Sequence, residues 1–307
     1  MSQFVIGIDV GGTNVKLGIV SLAAKVIART SFSTTSYASS KMRLINALVI
    51  KVADFLTVNN IDRRHVLGVG IGLPGLIDSE RGIANSLPNI PGWNKFPIQK
   101  ILYKKLHLPV YIDNDAHLMA LGEWKYGAGK GAKNLICITL GTGIGGGLIF
   151  NNELYRGPGF AAGEIGHMPL NEEGPKCACG GYGCFEQYVG RTYLKKKTKK
   201  IFKKQLEWVQ VSALANQGDK RAIKIWKETA QHLGNGLTGV VNLLNPLRIV
   251  IGGGVSNCPA FVYKIINQVI KKRAMKVQAS MVKVVKAKLG NDAALIGAKV
   301  LVELFKK

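Results

Sequence analysis

The feature that most constrains the fold of this chain is a pattern that occurs twice: an apolar strand, a glycine turn and a second apolar strand. The first copy spans residues 4–20 around a turn at 11–13, and the second spans residues 135–150 around a turn at 141–143. Short β-rich runs lead into both turns, and the apolar pattern resumes after each of them. This internal similarity predicts two halves of similar plan.

The length of the chain agrees with two halves. A chain of 307 residues exceeds what one compact core usually holds, so we expect two domains of roughly 150 residues each. With 47% hydrophobic and 20% charged residues, the chain can bury a large core and is not intrinsically disordered. Asp9 interrupts the first apolar run, which argues against a signal peptide, and no apolar run approaches the ~18 residues of a membrane span. We therefore expect a cytoplasmic protein with no membrane partner.

The chain is strongly basic, with 42 Lys and Arg against 18 Asp and Glu and a net charge of +24. Such a charge would suit nucleic acid, a membrane surface or an anionic small molecule. Seven of the ten residues at 195–204 are lysine, whereas the glycine-rich stretches carry little charge. No helix-turn-helix or stacking module precedes the first motif. We interpret the excess charge as a solvated surface and expect no nucleic-acid partner.

Three glycine-rich turns directly follow predicted strands. They are Gly11-Gly12-Thr13, Gly141-Thr142-Gly143 and Gly252-Gly253-Gly254. Glycine lets backbone N–H groups approach an anion, and a threonine hydroxyl adds a donor, so each turn can hold a phosphate. A tight hairpin that needs a positive φ would also select glycine, which leaves two interpretations for any single turn. The chain has neither a P-loop nor a dinucleotide-binding glycine pattern followed by a helix.

One histidine and three cysteines are spaced as metal ligands: His167, Cys177, Cys179 and Cys184, in the pattern His-x9-Cys-x-Cys-x4-Cys. Three thiolates and one imidazole complete the tetrahedron of a structural Zn²⁺. An odd number of cysteines without an export signal also favours a metal over disulfides. Because all four positions would be filled, we expect this zinc to be structural and not catalytic. A chance cluster of small buried cysteines is the alternative.

Two aspartates, Asp113 and Asp115, follow the predicted strand at 110–112. Phosphoryl transfer to an alcohol needs an acceptor for the hydroxyl proton, and both carboxylates are candidates for this role. An aspartate just before a helix is also a common N-cap, so a structural interpretation stays open.

These motifs resemble those of the ROK family of sugar kinases and repressors, within the actin-like ATPase superfamily. Residues 7–16 are similar to the first phosphate motif of the family, and residues 140–147, followed by Gly157 and residues 163–167, are similar to its signature. The resemblance covers nearly the whole chain. It implies an α/β protein with two lobes of actin-like ATPase (ribonuclease H-like) domains, with ATP in the interlobe cleft and a sugar at the floor of the cleft.

The predicted lobes are residues 1–115 plus 290–307, and residues 116–289 with the zinc loop. The resemblance implies an ATP-dependent hexose kinase, in the first place a glucokinase that phosphorylates the 6-hydroxyl of glucose. N-acetylmannosamine, N-acetylglucosamine and fructose kinases stay open as alternatives. A sugar-sensing regulator that lacks its DNA-binding arm is an alternative of another class, and the presence of Asp115 and of all three glycine turns disfavours it. A homodimer or homotetramer is expected by resemblance.

The resemblance also implies roles for individual residues. Asp115 becomes the general base toward the sugar hydroxyl, and Asp9 faces Mg²⁺ through water and phosphate. The residues implied to bind the sugar are Asn89, Asn114, Asp115, Glu164, His167 and Glu186. The residues assigned to the nucleotide are Asp9, Gly11, Gly12, Thr13, Lys16, Gly141, Thr142, Gly143, Gly253 and Gly254. Asp9 as an ordinary turn residue, and Lys16, Glu164 and Glu186 as solvated surface residues, are the open alternatives.

Overall fold

The structure is a computed structural model that describes residues 3–37, 39–87, 92–141 and 143–306. The chain divides into two compact units. The first unit comprises Met1–Lys130, Leu154–Ala162 and Asn291–Lys307, and the second comprises Gly131–Glu153 and Gly163–Gly290. The predicted boundary after residue 115 lies earlier than this division, because the helix at 115–126 packs against the C-terminal helix of the first unit.

The strands are β1 (Phe4–Val10), β2 (Asn14–Ser21), β3 (Val26–Ser33), β4 (Val66–Leu73), β5 (Leu76–Asp78), β6 (Ile83–Ser86), β7 (Val110–Asn114), β8 (Leu135–Leu140), β9 (Ile144–Phe150), β10 (Glu153–Tyr155), β11 (Arg248–Gly252) and β12 (Lys283–Lys286). The α-helices are α1 (Lys41–Val58), α2 (Ile98–Leu106), α3 (Asp115–Tyr126), α4 (Arg191–Phe202), α5 (Trp208–Asn216), α6 (Lys220–Leu244), α7 (Ala260–Arg273), α8 (Lys276–Met281) and α9 (Ala293–Phe305).

The first unit is built on a five-stranded sheet with the order β3-β2-β1-β4-β7. β1 and β2 form the antiparallel hairpin that the sequence predicts, whereas β4 runs parallel to β1 and β7 parallel to β4. β1 and β4 are almost wholly buried, which is typical of strands covered by helices on both faces. Helix α9 approaches the sheet closely because Gly7 has no side chain: a Cβ there would lie 2.6 Å from the carbonyl oxygen of Leu295.

Helix α1 shows why the sequence pattern was readable in this unit. Leu44, Leu48, Val52 and Phe55 recur at helical spacing and are buried in the core of the first unit. Truncating a buried leucine of this kind to alanine costs about 2–5 kcal/mol of stability. The apolar stripe of α1 therefore supplies part of the free energy that holds the helix on the sheet.

The second unit is built on another five-stranded sheet, with the order β10-β9-β8-β11-β12. β8 and β9 form an antiparallel hairpin, β11 runs parallel to β8, and β12 runs parallel to β11. The hairpin and its parallel neighbours thus follow the plan of the first sheet, as the repeated pattern predicts. The long helices α6 and α7 pack together where Gly234 faces Val269: a Cβ on Gly234 would lie 2.5 Å from the Cβ of Val269.

Strand β6 extends into the proline-containing stretch 85–98 and pairs with β5. The lysine-rich stretch lies mostly in α4, which ends at Phe202 because Lys203 adopts a left-handed conformation with φ 59°, and α5 follows separately. Among the helices of the described residues, none is both long enough and apolar enough to cross a membrane.

Candidate functional site

The register of the first sheet gathers acidic residues at one edge. Asp9 of β1 pairs with Gly72 of β4, and Gly72 pairs with Asp113 of β7. Asp115 follows as the first residue of α3. A Cβ on Gly72 would lie 3.2 Å from the Cα of Asp115, so a larger residue would press on the start of this helix. The edge where parallel strands end is the place where α/β sheets collect ligands.

The electrostatic environment of Asp115 suits a proton acceptor. Burial raises the pKa of Asp115 from 3.8 to about 7, and the negative charge of Asp9 adds to the rise. Burial also raises the pKa of Asp9, although the ammonium of Lys16 lies 3.6 Å from an Asp9 carboxylate oxygen and lowers it. A general base works best when its pKa lies near the operating pH. Asp115 therefore has the environment of a general base.

Helix α3 is capped by Asn114, so the N-cap interpretation of Asp115 does not apply. The Oδ1 of Asn114 accepts hydrogen bonds from the backbone N–H groups of Ala116 at 2.8 Å and of His117 at 3.3 Å. Its Nδ2 donates to the carbonyl oxygen of Gly75 at 3.0 Å. An amide NH₂ has two donors, and the part of the chain that the structure describes occupies one of them, so the other N–H of Asn114 can serve a ligand.

Asp113, the other candidate acceptor, is fully buried and already engaged. Its Oδ1 lies 2.8 Å from Nδ1 of His117, and its Oδ2 accepts hydrogen bonds from Nε and Nη2 of Arg156 at 2.9 and 2.7 Å. Burial alone would raise the pKa of Asp113, but His117 and Arg156 outweigh it and hold the pKa below its usual range. A carboxylate that stays ionised and occupied is a poor proton acceptor. Of the two carboxylates, that of Asp115 is therefore better suited to accept a proton.

The glycine turn between β1 and β2 is held from outside by Thr34. The hydroxyl of Thr34 donates to the carbonyl oxygen of Gly11 at 2.7 Å. The backbone N–H of Thr34 donates to the carbonyl oxygen of Thr13 at 2.8 Å. Gly12 does not adopt a left-handed φ, and a Cβ on it would meet no atom within 4 Å. The hairpin itself does not require glycine at this position, whereas the close approach of a ligand would.

The second unit places two glycine turns side by side. Gly253 has φ 79°, and a Cβ on it would clash with the carbonyl oxygen of Leu140, so the turn at 252–254 packs on the end of β8. In contrast, Gly141 and Gly254 have neither a left-handed φ nor an atom within 4 Å of an added Cβ. These two positions repeat the situation of the first turn. Thr142, assigned to the nucleotide from the sequence, lies outside the described residues.

The predicted metal ligands come together in the second unit. One ligand atom from each of His167, Cys177, Cys179 and Cys184 lies within 4.8 Å of every other. The Sγ atoms of Cys179 and Cys184 are 3.6 Å apart, and Sγ of Cys177 is 3.6 Å from Nδ1 of His167. With Zn–S bonds of ~2.3 Å, a tetrahedron needs S···S separations of about 3.8 Å. The donor set and its spacing therefore fit a tetrahedral zinc.

The loop that carries the cysteines is shaped by glycine. Gly180 and Gly183 have φ 96° and 60°, in the left-handed region that favours glycine. The loop closes as a hairpin: the N–H of Cys177 donates to the carbonyl oxygen of Gly181 at 2.8 Å. The segment that follows His167 is hydrogen-bonded to this loop, because the N–H of Leu170 donates to the carbonyl oxygen of Gly183 at 2.8 Å.

Glu186 lies between the metal ligands and the glycine turn of the same unit. Its Oε1 is 3.2 Å from Sγ of Cys177, and its Oε2 fills the space that a Cβ on Gly143 would occupy. The side chain is 18% exposed, which argues against simple solvation. Glu164 is 57% exposed, and its carboxylate lies 3.8 Å from Nε2 of His167. His167 thus directs Nδ1 toward the metal ligands and Nε2 toward Glu164.

Several predicted positions are less informative. Asn89 lies outside the described residues. The side chain of Lys16 is 43% exposed, as the solvent-facing alternative expects, but its ammonium also faces Asp9.

The first unit contains a cavity of about 450 Å³. The residues that line this cavity are Asp78, Glu80, Arg81, Asn85, Gly157, Pro158, Gly159 and Phe160.

Sequence reasoning missed Gly72 and Arg156. Gly72 had no motif of its own, and only the strand register reveals that it adjoins Asp115. Arg156 did carry a signal, because it is the one charged residue among residues 154–163. An isolated charge in an apolar stretch indicates a specific partner, which in this chain is Asp113.

Two sheets of the same order, each with glycine turns at its strand ends, define an actin-like ATPase fold. The chain belongs to the ROK family, whose family model matches residues 5–304. A glucokinase of Halalkalibacterium halodurans is 33% identical over 98% of this chain and 95% of its own length. The crystal structure of a ROK family glucokinase from Streptomyces griseus in complex with glucose and AMPPNP has 31% identity and a TM-score of 0.84, with 96% of this chain and 97% of that chain covered.

A xylose repressor of Caldicellulosiruptor bescii is also similar, with 30% identity over 97% of this chain and 77% of the repressor. These similarities confirm the predicted ROK membership and the predicted α/β, actin-like ATPase fold. They include both an enzyme class and a regulator class. The choice between the enzyme class and the regulator class therefore depends on the residues at the strand ends of this chain.

Proposed function

We propose that this protein is an ATP-dependent hexose kinase of the glucokinase type, which transfers the γ-phosphoryl group of ATP to the 6-hydroxyl of glucose. The observation that carries the proposal is Asp115, a buried carboxylate with a pKa near 7 beside a second carboxylate at a sheet edge. The similarity to glucokinases over 95% or more of this chain supports it.

The proton of the sugar hydroxyl passes to Asp115. As the oxygen of the 6-hydroxyl attacks the γ-phosphorus, its O–H bond breaks and the proton moves to a carboxylate oxygen of Asp115. The bond from the γ-phosphorus to the bridging oxygen of ADP breaks at the same centre. One N–H of Asn114 is available for a neighbouring sugar hydroxyl.

The glycine turns are assigned to the phosphates. Their backbone N–H groups would stabilise the charge that phosphoryl transfer spreads over the phosphate oxygens. The proposed contacts are Gly11, Gly12, Thr13 and Lys16 from the first unit, and Gly141, Thr142, Gly143, Gly253 and Gly254 from the second. Asp9 would hold Mg²⁺ through water, and its buried carboxylate is the hard oxygen donor that this ion prefers. The ion, when bound, neutralises phosphate charge.

The residues assigned to the sugar are Asn89, Asn114, Asp115, Glu164, His167 and Glu186. We assign a structural Zn²⁺ to His167, Cys177, Cys179 and Cys184, where it would fix the ring of His167 and the adjacent carboxylate of Glu186. A closed shell of four protein ligands leaves the ion no position for substrate. Zinc is therefore proposed to orient sugar ligands and not to react.

The wider setting of the enzyme is also a proposal. A hexose kinase consumes ATP, a co-substrate of the cell interior, and supplies a sugar phosphate for carbohydrate breakdown such as glycolysis. On that ground we place the protein in the cytoplasm. A homodimer or homotetramer follows from the resemblance to ROK kinases.

The regulator class is the second candidate, because a xylose repressor shares 30% identity over 97% of this chain. A steady-state survey with ATP separates the candidates. We expect the highest kcat/KM for glucose, lower values for fructose, N-acetylmannosamine and N-acetylglucosamine, and glucose 6-phosphate as the product identified by ³¹P NMR. Saturable binding of xylose or glucose without phosphoryl transfer to any hexose would instead support a sensor. A higher kcat/KM for an N-acetylated sugar would correct the substrate but keep the kinase.

A further inference from the structure

A buried ion pair joins the strand end beside Asp115 to a segment that connects the two units. Residues 154–162 belong to the first unit, whereas the chain on both sides of them, 131–153 and 163–290, belongs to the second. We call residues 154–162 the strap. Glu164, assigned to the sugar, follows the strap by two residues. The chain therefore continues from the strap directly into the segment that carries a proposed sugar ligand.

The strap is anchored at Arg156. Its guanidinium donates two hydrogen bonds to a single oxygen of Asp113, at 2.9 and 2.7 Å, and its side chain is 20% exposed while that of Asp113 is fully buried. Charge-assisted hydrogen bonds of this type fix direction as well as distance. The other oxygen of Asp113 lies 2.8 Å from Nδ1 of His117 on α3. One carboxylate thus connects the strap with helix α3.

His117 also contacts the other end of the strap. Nε2 of His117 lies 3.4 Å from the carbonyl oxygen of Ala162, and the N–H of Ala162 donates to the carbonyl oxygen of Arg156 at 3.0 Å. Between these ends Phe160 has φ 57°, a left-handed conformation that a bulky residue adopts only when its surroundings impose it. Asp113, His117 and Arg156 therefore hold the strap at both of its ends.

The strap also forms part of the polar cavity of about 450 Å³ described above, through residues 157–160. The remaining lining residues come from β5, β6 and the turn between them. This hairpin follows Gly75, whose carbonyl oxygen accepts a hydrogen bond from Asn114. Both parts of the cavity wall are thus tied to residues that directly precede Asp115: the strap to Asp113 and the hairpin to Asn114.

We propose that Asp113, acting through Arg156 and His117, is a positioning residue that holds the strap in register with Asp115. The inference rests on the proposed kinase function and goes beyond it. In an anchored strap the sugar hydroxyl meets the proton acceptor. In a released strap, water takes its place: the γ-phosphoryl group then passes to water, the water proton to Asp115, and ADP and inorganic phosphate are the products. Asp113 accordingly governs how tightly ATP use is coupled to sugar phosphorylation.

The test is Arg156→Met, which removes the guanidinium and keeps a long side chain. We expect kcat/KM for the sugar to fall about 100-fold, because small displacements at a reacting centre cost that much. The KM for ATP should stay within a factor of two. The ratio of ADP released to sugar phosphate formed should rise well above the value of one expected of the wild type. A loss of folded enzyme would lower both products equally and leave this ratio unchanged.

The matched control is Arg29→Met. Arg29 also donates two hydrogen bonds to an aspartate, Asp292, in the same unit, but it lies on the exposed strand β3. This variant should keep the wild-type ratio and kcat/KM. If Arg156→Met fails to fold because a buried carboxylate is left unpaired, the double variant Asp113→Asn/Arg156→Met removes both charges and should show the same excess of ADP.

Hydrogen exchange of the full chain provides a readout that does not depend on activity. The amides of Gly157 and of residues 159–162 should exchange faster in Arg156→Met than in the wild type or in Arg29→Met. Faster exchange together with an excess of ADP supports the inference. Unchanged exchange overturns the anchor, and faster exchange with a ratio of one overturns the positioning role. A wild type that phosphorylates no hexose would refute the proposed function and leave the exchange result to decide the anchor.

Discussion

The two sheets of this protein share one plan but carry different chemistry at their strand ends. In the first sheet, Asp9 pairs with Gly72, and Gly72 with Asp113. At the same place in the second sheet, Thr139 pairs with Gly252, and Ala287 follows β12 as the next residue. The fourth strand in each sheet order carries a glycine at this register position, Gly72 of β4 and Gly252 of β11. The acidic residues are therefore a property of the first sheet and not of the topology.

The second sheet obtains its functional groups in another way. Its hairpin is followed by a long excursion that carries His167 and the three cysteines, and Glu186 returns from this excursion to the glycine turn at Gly143. The shared scaffold therefore supplies glycine turns at strand ends. Side chains at one edge of the first sheet supply the proposed proton acceptor, and the loop after the other hairpin supplies the proposed metal ligands.

Asp115→Asn should have the largest effect, because it removes the proton acceptor that only the first sheet has. We expect kcat to fall by a factor of about 10²–10⁴, the usual contribution of a general base. The measurement is steady-state phosphorylation of glucose, with circular dichroism to verify the fold. Asp54→Asn, on the exposed face of α1, is the matched control and should keep wild-type kcat. An Asp115→Asn enzyme with most of its kcat would remove this residue from the mechanism.

Cys184→Ser should come next, because it removes one of the four ligands proposed for a metal in the second unit. Metal analysis of protein purified without chelator should find one zinc per chain in the wild type and much less in the variant. Through Glu186 and His167, we expect the KM for glucose to rise by a factor of about 10–100, the usual cost of disturbing a metal site. Cys258→Ser lies outside the metal cluster and should retain zinc. A wild type without zinc would contradict the assignment.

The pH dependence of the wild type should reveal the raised pKa of Asp115. The ionised carboxylate is the active form, so activity is present above the pKa and is lost as pH falls through about 7. Below that value kcat/KM for glucose should fall about tenfold per pH unit. The Tm measured over the same pH range separates titration from unfolding. A flat profile down to pH 5 in folded protein would argue against Asp115 as a group with a raised pKa.

The smallest effect is expected from substitutions in the glycine turns that the two sheets share. Gly141→Ala adds a Cβ with no atom of the described residues beyond its chain neighbours within 4 Å, so it should leave Tm unchanged. It should raise the KM for ATP by a factor of about 10, or roughly 1.4 kcal/mol of binding. Gly253→Ala adds a Cβ against Leu140 at φ 79° and should lower Tm as well. If Gly141→Ala lowers Tm but leaves the KM for ATP unchanged, the turn is structural.

The sequence predicted those parts of the fold whose causes are local. The strand before the second glycine turn was predicted close to its observed bounds, since β8 is an apolar run that leads directly into this turn. The pair β5 and β6 was missed because its strands are short and lie beside a proline-containing stretch. Helix α2 was missed because only its buried contacts with the first core, through Ile98 and Leu102, identify it.

The same distinction between local and non-local causes applies to the residues of the candidate site. The metal ligands were predictable because four ligand residues lie within 18 positions of one another in the sequence, and their spacing alone encodes a tetrahedron. The partnership of Asp113 with Arg156 was not predictable, since the two residues are 43 positions apart and meet only after the first sheet has formed. The same holds for the raised pKa of Asp115, which depends on burial and on Asp9 from another strand.

The central claim, that Asp115 receives the proton of the sugar hydroxyl, is tested most directly by a crystal structure of the protein with glucose and a non-hydrolysable ATP analogue. The account predicts the 6-hydroxyl oxygen within about 2.6–3.2 Å of an Asp115 carboxylate oxygen, and directed at the γ-phosphorus. Glucose bound with its 6-hydroxyl turned away from residue 115, or bound at a different place in the molecule, would contradict the account.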